Sequence, residues 1–255
     1  DYKKFEDFGS MLINNNLLID YIKNWLREDV GNFDLTSQII VDPGIHKTFN
    51  LVVREPAIIS GLEVAQSIFH QVDSELEFNT FCNDKDRVKS GFKIAVVSGK
   101  ASAILTAERV VLNILQRMCG IATMTDDYVK AISHTKARLV DTRKTTPGLR
   151  LLEKYAFYCG GGKNHRFGLD SGVMLKDNHI ALFGDIFEAV KRIKERAPIL
   201  TKVEVECDTI AQVKASVNAG ADLIMLDNMS SSEMKTAVDL VNNNIPLECS
   251  GNVNL

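Results

Sequence analysis

Basic side chains are concentrated in the segment 141–179, together with glycines and a proline that favour turns. The segment holds seven lysines and arginines against four acidic residues, whereas the whole chain carries a formal net charge of −3. The seven are Arg143, Lys144, Arg150, Lys154, Lys163, Arg166 and Lys176. A solvated basic surface would account for such a run. Cations beside predicted strand ends instead favour a pocket for a ligand with several negative charges.

Local signals within this segment also favour anion binding. Thr146-Pro147 is typical of a helix N-cap followed by proline at the first helical position. The N-terminus of such a helix offers unpaired N–H groups to an anion. The glycines 160–162 would let the backbone approach a ligand closely, and His165 and Arg166 follow directly.

From about residue 137, short apolar strands alternate with helices, which predicts βα units with parallel strands. Helices are expected at 186–196, 209–219 and 231–243. Each strand ends in polar or charged residues, at 141–144, 176–179, 204–206, 227–228 and 248–251. Since the active sites of α/β barrels lie at the carboxyl ends of the strands, we expect the chemistry at these positions.

Alternation within the strand 202–206 predicts which side chains face the barrel axis. Val203 and Val205 share one face, which should pack on outer helices, so Glu204 and Glu206 should point inward. Glu206 and Asp227 end successive strands, and two neighbouring carboxylates suit Mg²⁺ held jointly with substrate oxygens. The alternative is an interior salt network in which the acids balance the nearby lysines.

The first third of the chain has a different pattern, which predicts a small α+β sandwich. A helix is expected at 11–29, with one apolar face made by Leu18, Ile22, Trp25 and Leu26. Strands are expected at 47–54, 56–61, 75–82 and 92–98, with a helix at about 62–72. A long helix should follow Gly99 and end at Gly120.

Composition excludes several other classes of protein. A chain of 255 residues that is 45% hydrophobic can form a barrel and a small second domain. A pI near 6.0 disfavours nucleic-acid binding. The chain has no apolar run of about 18 residues and no signal-peptide core, and it has five cysteines but no CxxC pair. We therefore expect a cytoplasmic protein with reduced, buried thiols and no membrane or nucleic-acid partner.

Nine motifs, in order along nearly the whole chain, resemble those of quinolinate phosphoribosyltransferases. They lie at 28–36, 108–113, 120–123, 141–150, 160–166, 175–179, 203–206, 226–228 and 250–251. The resemblance implies a decarboxylating pentosyltransferase of NAD biosynthesis. It would join phosphoribosyl pyrophosphate (PRPP) to quinolinate and release nicotinate mononucleotide, pyrophosphate and CO2.

The fold implied by the resemblance is α/β: an open α/β (TIM-like) barrel with an N-terminal α+β sandwich domain. The domains would be 1–113 and 114–255. The resemblance also implies a homodimer in which the sandwich of one subunit caps the barrel of the other, so Arg109 is expected to reach the neighbouring active site. Family members continue with a further helix, a strand and a second phosphate loop, so we expect those elements after Leu255. The chain also begins without an initiator Met.

The resemblance also implies the role of each matching residue. The quinolinate carboxylates would be bound by Arg143, His165, Arg166 and Lys176. Substrate phosphates and carboxylate would be held by Thr142 and Lys144, and Mg²⁺ and the ribose hydroxyls by Glu206 and Asp227. The 5′-phosphate would be bound by the backbone of Ser250, Gly251 and Asn252. The catalytic group would be Lys144, Lys176, Glu206 and Asp227. Asn252 stands where family members often have glycine, but asparagine also tolerates a left-handed backbone.

Three alternative functions share parts of this pattern. A related barrel transferase would keep the phosphoribosyl site and accept another base. A Schiff-base lyase would use the amine of Lys176 as its nucleophile. A phosphate- or nucleotide-binding protein without activity would bind ligands without turnover. The ordered motifs favour the quinolinate enzyme.

Overall fold

The computed structural model describes residues 15–254. Residues 15–254 belong to two compact units that meet in sequence between His165 and Arg166. The predicted helix at 11–29 therefore begins outside the described residues. The division into domains at 1–113 and 114–255 stays a prediction.

The first unit combines helices with two small antiparallel sheets. Its helices are α1 (Asn15–Val30), α2 (Leu35–Ile40), α3 (Leu62–Val72), α4 (Ala101–Ala131) and α5 (Arg150–Cys159). Its strands are β1 (His46–Val52), β2 (Ala57–Ile58), β3 (Glu77–Thr80), β4 (Arg87–Val88) and β5 (Lys93–Lys100). The sheets have the orders β1-β5-β3 and β2-β4. The sequence predicted β1, β2, β3 and β5 but missed the short strand β4.

Helical periodicity identified the buried face of α1 correctly. Leu18 and Ile22 are buried, and Trp25 and Leu26 pack against the same core. This core also contains the apolar faces of α3 and α4 and the inner face of β5. One continuous hydrophobic cluster therefore holds the elements of the first unit together.

The predicted end of α4 at Gly120 is wrong, since the helix continues to Ala131. A glycine inside a helix costs only about 1 kcal/mol relative to alanine. Beyond it, Ala122 and Thr125 are buried, and they lie against the backbone of Gly160. Packing on the following segment thus extends the helix past a residue that local propensity treats as a stop.

The predicted helix start at Thr146-Pro147 is also wrong. The N–H of Leu149 donates to the carbonyl of Thr146, and Gly148 has a φ of 81°, so this stretch is a turn. Helix α5 begins at Arg150. No helix N-terminus is therefore available at Thr146 to bind an anion.

The second unit has the predicted alternation of strands and helices. Its elements are β6 (Val173–Leu175), α6 (Asp177–Phe183), α7 (Ile186–Arg196), β7 (Val203–Cys207), α8 (Ile210–Asn218), β8 (Leu223–Asp227), α9 (Ser231–Val241) and β9 (Leu247–Ser250). The strands form one parallel sheet in the order β6-β7-β8-β9. Sequential order with helical crossovers is the arrangement of a barrel wall.

Helix starts in this unit follow from capping side chains. Asp185 caps α7, while Thr209 with Gln212 and Ser230 with Glu233 form capping boxes at α8 and α9. The helices cover the outer face of the sheet, where Val203 and Val205 are fully buried against α7 and α8. The prediction that the valines face outward and Glu204 and Glu206 inward is confirmed.

No helix among residues 15–254 is both long enough and apolar enough to cross a membrane.

Candidate active site

A buried salt bridge anchors the first basic strand end. A parallel bridge between Val140 and Lys163 brings Asp141 beside the segment 163–165. The Asp141 carboxylate pairs with the ammonium of Lys154, and both side chains are buried. It also accepts hydrogen bonds from the backbone N–H of His165 at 2.8 Å and from the amide of Asn164 at 2.7 Å.

Lys154 is one of the seven cations of the segment 141–179, although no ligand was assigned to it. Its side chain is 1% exposed. Besides the salt bridge, the ammonium donates to the carbonyl of His165 at 3.2 Å. These contacts direct the charge of Lys154 into the protein, where it holds the chain before Thr142 against the chain at His165.

A second network fixes the turn that follows Lys144. The buried carboxylate of Glu153 accepts from the backbone N–H of Thr146 at 3.1 Å and from Nε of Arg117 at 2.7 Å. Arg117 also donates to the Thr146 hydroxyl. The turn is therefore held between α4 and α5 by side chains that sequence reasoning did not assign to the site. The only hint of this network in the sequence was that Glu153 directly precedes Lys154.

Three predicted substrate-binding residues lie in the segment between these two networks. The hydroxyl of Thr142 accepts a hydrogen bond from the backbone N–H of Lys144 at 3.0 Å, so it shapes the turn. Lys144 is exposed. Arg143 is half-buried, and its Nε is buried without a hydrogen-bond partner among the described residues. A buried guanidinium N–H is costly when unpaired, so Arg143 has the capacity to bind an anion.

The glycines 160–162 have a packing role, and their predicted contact with a ligand stays a prediction. A Cβ on Gly160 would lie 2.3 Å from the carbonyl oxygen of Ala122, and one on Gly162 would lie 2.1 Å from the ring of Phe157. Gly161 has a φ of 90°, in the left-handed region. Close approach of α4 and the end of α5 explains the triplet.

In the second unit, Lys176 and Glu206 are paired where β6 and β7 end. The ammonium of Lys176 lies 2.9 Å from Oε2 of Glu206. Lys176 directly follows β6, and its backbone N–H donates to Nδ1 of His179 at 3.0 Å, which fixes the start of α6. His179 was not predicted as a site residue, although the spacing Lys176-x-x-His179 matches a capping box.

Arg166 lies along β6 on the face that carries the acids. Its guanidinium donates to the carbonyl of Gly172 at 3.0 Å and contacts Sδ of Met174 at 3.6 Å. Met174 is in register with Glu204 on β7, and residues in register point to the same side of a sheet. The side chain of Arg166 is therefore directed toward the inner face. His165 is half-buried.

The predicted neighbouring position of Glu206 and Asp227 needs a correction. Glu206 is in register with Met225, and Asp227 is in register with Ser250. The two acids share the inner face, but Asp227 lies two residues further along its strand. They are diagonal neighbours, so their side chains are further apart than those of two residues in register.

The donor set at these two acids fits a hard cation. Glu206 offers Oε1 and Asp227 offers Oδ1, since Lys176 and Asn228 bind the other oxygen of each carboxylate. No hydrogen bond from residues 15–254 reaches either of these two remaining oxygens. Mg²⁺ takes one or two protein carboxylates and completes its shell with water and substrate phosphates.

The segment 250–252 forms a tight turn directly after β9. Gly251 has a φ of 89° and Asn252 a φ of 52°, so asparagine does take the left-handed conformation expected of it. The backbone N–H groups of both residues donate no hydrogen bond to residues 15–254. Consecutive free N–H groups in such a turn form a concave anion-binding arrangement.

Arg109 is exposed on α4, one turn after the exposed side chain of Leu105. It makes no hydrogen bond or salt bridge with any residue that the structure describes. Thr106, on the same helix, donates to Asp34 at the start of α2 at 3.0 Å. Arg109 therefore lies on a free surface of the first unit.

Comparison with known proteins identifies the family. The model "Quinolinate phosphoribosyl transferase, N-terminal domain" matches residues 34–119, and the corresponding C-terminal domain model matches 121–255. The chain belongs to the quinolinate phosphoribosyltransferase family. The predicted family resemblance is thus confirmed, and so is the fold class: a TIM-like α/β barrel with an N-terminal α+β domain.

Relatives of the quinolinate phosphoribosyltransferase family match over nearly the whole chain. The probable nicotinate-nucleotide pyrophosphorylase (carboxylating) of Synechocystis sp. is 41% identical, across 94% of this chain and 82% of that protein. Its counterpart in Bacillus subtilis is 40% identical, across 95% and 84%. The crystal structure of NadC from Streptococcus pyogenes has a TM-score of 0.91 at 40% identity, covering 95% of this chain and 86% of that chain.

Family membership also bears on the alternative functions. A Schiff-base lyase would need the Lys176 amine free to attack a carbonyl group, whereas its nitrogen lies 2.9 Å from Oε2 of Glu206. Cys207, the cysteine of β7, is no better as a nucleophile, because burial raises the pKa of its thiol to about 11. Neither residue favours covalent catalysis in this quinolinate phosphoribosyltransferase.

Proposed function

We propose that this protein transfers the phosphoribosyl group of PRPP to quinolinate with decarboxylation, giving nicotinate mononucleotide, pyrophosphate and CO2 in de novo NAD biosynthesis. The observation that carries this proposal is the identity of about 40%, over nearly the whole chain, to nicotinate-nucleotide pyrophosphorylases.

The reaction requires the protein to position the two substrates, and it requires no covalent intermediate with the protein. The pyridine nitrogen of quinolinate attacks C1 of the ribose as pyrophosphate departs through an oxocarbenium-like state. The new pyridinium then stabilises the carbanion left on the adjacent ring carbon when CO2 departs, and that carbon takes up a proton from water. Fixed charges that hold both substrates in line can supply much of the rate enhancement.

We assign the two carboxylates of quinolinate to four basic residues: Arg143, His165, Arg166 and Lys176. In the first unit, Arg143 offers a buried Nε–H without a partner among residues 15–254, and the chain on both sides of it is fixed by Asp141 and Glu153. His165 lies in the neighbouring segment 163–165, and its backbone N–H is held by the same Asp141 carboxylate. In the second unit, Arg166 and Lys176 present their charges on the inner face of the sheet, as a dianion requires.

The phosphoribosyl group is the ligand we assign to the ends of β7, β8 and β9. Glu206 and Asp227 would bind the ribose hydroxyls, and the N–H groups of Gly251 and Asn252 would bind the 5′-phosphate beside Ser250. Lys144 is exposed, with no contact of its side chain among the described residues, and it would neutralise charge on the pyrophosphate. The Thr142 hydroxyl would help to hold the same phosphates. Mg²⁺ held by Glu206 and Asp227 would supply Lewis-acid stabilisation of the leaving pyrophosphate.

A homodimer is the assembly we propose, with Arg109 of one subunit reaching the active site of the other. Helix α2 supports this proposal because Leu35, Ile39 and Ile40 are 61%, 71% and 71% exposed. A cluster of large apolar side chains on a surface is typical of an interface between proteins. Its neighbour α4 carries Arg109, so a second copy seated there would also cover this cation.

The proposed reaction is tested directly by incubating the purified chain with quinolinate, PRPP and Mg²⁺. We expect nicotinate mononucleotide by chromatography and one labelled CO2 for each product formed from carboxyl-labelled quinolinate. Nicotinate and nicotinamide serve as competing bases in parallel reactions. Turnover of either base in preference to quinolinate, or binding of both substrates without product, would overturn the proposal.

The shared site is tested by mixing two inactive variants, Arg109→Ala and Lys176→Ala. In a hybrid dimer one of the two sites receives both intact residues, so part of the activity should return. Native mass spectrometry checks that hybrids form. Confirmed hybrids without recovered activity would place Arg109 outside the neighbouring site.

A further inference from the structure

Asn228 joins the ends of two neighbouring strands, and the family resemblance assigned it no role. We propose that Asn228 is a positioning residue that holds the Asp227 carboxylate and the turn 250–252 in one arrangement for the ribose phosphate. The inference rests on the proposed function and names the residue that sets the geometry of its phosphoribosyl side.

Three hydrogen bonds connect Asn228 to its surroundings. Its side-chain amide donates to Oδ2 of Asp227 at 2.7 Å, and its Oδ1 accepts from the amide of Asn252 at 3.2 Å. Its backbone N–H donates to the carbonyl of Ser250 at 3.0 Å. One residue thus contacts both the carboxylate at the end of β8 and the turn after β9.

The shape of the turn also depends on Asn228. A Cβ added to Gly251 would lie 2.2 Å from Oδ1 of Asn228 and 3.0 Å from its backbone nitrogen. Gly251 therefore lies against the Asn228 side chain with no room for a larger residue. If the amide were removed, this turn would lose the surface on which it rests.

The backbone conformation suits asparagine at this position. Asn228 has a φ of 53°, in the left-handed region, which asparagine adopts more readily than most residues. The residue is exposed, so water competes for its hydrogen bonds and they contribute little to folding. An exposed asparagine with three directed contacts is better explained by the groups that it orients.

The contacts have a direct chemical consequence. The Asn228 amide binds Oδ2 of Asp227 and so fixes the orientation of the carboxylate, whose Oδ1 stays available to the substrate. The same side chain contacts the turn that carries the N–H groups of Gly251 and Asn252. Ribose and 5′-phosphate are covalently connected parts of one substrate. Holding both of its binding groups through a single residue would keep their spacing correct for in-line attack.

The experiment compares Asn228→Gly with Asn242→Gly in steady-state kinetics with both substrates. Asn242 is a matched control because it is also an exposed asparagine in the left-handed region, with a φ of 47°, and it ends α9. Glycine keeps the backbone conformation at each position and removes only the amide. We expect the KM for PRPP to rise about tenfold in Asn228→Gly, as for loss of a hydrogen bond to a charged group.

The quinolinate KM should stay within about twofold in Asn228→Gly, and Asn242→Gly should change neither constant. A smaller rise in the KM for PRPP is expected for Asn252→Gly, which keeps the turn but loses its bond to Asn228; this variant decides the question if Asn228→Gly does not fold. An unchanged KM for PRPP, or an equal rise for both substrates, would overturn the inference. Absence of product from the unsubstituted enzyme would instead contradict the proposed function.

Discussion

Lys154 and Asp141 form a salt bridge inside the first unit, with side-chain exposures of 1% and 8%. The pair joins helix α5 to the strand end that precedes Thr142, Arg143 and Lys144. Asp141 also holds the backbone N–H of His165. Two segments predicted to bind substrate are therefore positioned by one buried carboxylate.

Breaking this salt bridge should destabilise the protein strongly. In Lys154→Met the Asp141 carboxylate would stay buried without its ammonium partner, and we expect a loss of about 3–5 kcal/mol in the free energy of unfolding. Urea denaturation measures it. Lys163→Met is the matched control, because Lys163 is an exposed cation nearby, and it should change stability by less than about 0.5 kcal/mol. Equal effects of the two substitutions would contradict the anchoring role.

Arg143→Ala should weaken quinolinate binding with little effect on stability. Loss of one charged contact is expected to cost about 1.5–3 kcal/mol of binding free energy, which titration calorimetry with quinolinate would detect. Arg138→Ala is the control: it removes an exposed arginine shortly before the segment 141–179 and should leave the affinity unchanged. An affinity that is equal in the Arg143→Ala and unsubstituted proteins would remove Arg143 from the quinolinate site.

Two glycines should respond in opposite directions to alanine. Gly120 lies inside α4 with no atom within 4 Å of an added Cβ, so Gly120→Ala should stabilise the protein by about 0.5–1 kcal/mol. Gly160→Ala would place its Cβ against Ala122 and Thr125, and such overpacking typically costs about 1–3 kcal/mol. Thermal and urea unfolding of both variants test this, and a Gly160→Ala protein as stable as the parent would refute the close packing.

The cysteines should differ in reactivity at pH 8. Burial is the largest cause that raises the pKa of Cys82, Cys119, Cys159 and Cys207 to about 11. These thiols should stay protonated, and should react slowly, until the pH approaches that value. Cys249 is exposed and should react with a disulfide reagent, giving one fast thiol per folded chain. Loss of this fast phase in Cys249→Ser is expected, and several fast thiols in the folded protein would contradict the burial.

The sequence by itself determined the features that depend on short-range periodicity. Alternation in 202–206 was enough to separate Val203 and Val205 from Glu204 and Glu206, because the two faces of a strand meet different environments. The βα pattern likewise predicted helices α7, α8 and α9 nearly to the residue. The motifs predicted the family, since many residue types must occur in one order for a shared fold and site.

Only the tertiary structure decided which of these residues meet. Lys154 resembles the other cations of its segment in sequence, but folding buries it against Asp141, thirteen positions away. Helix α4 continues past Gly120 because Ala122 and Thr125 pack against Gly160. Asp227 lies diagonal to Glu206 because the strand register places Met225 opposite Glu206. Burial, partner choice and register arise from contacts between distant segments, and local sequence carries little information about them.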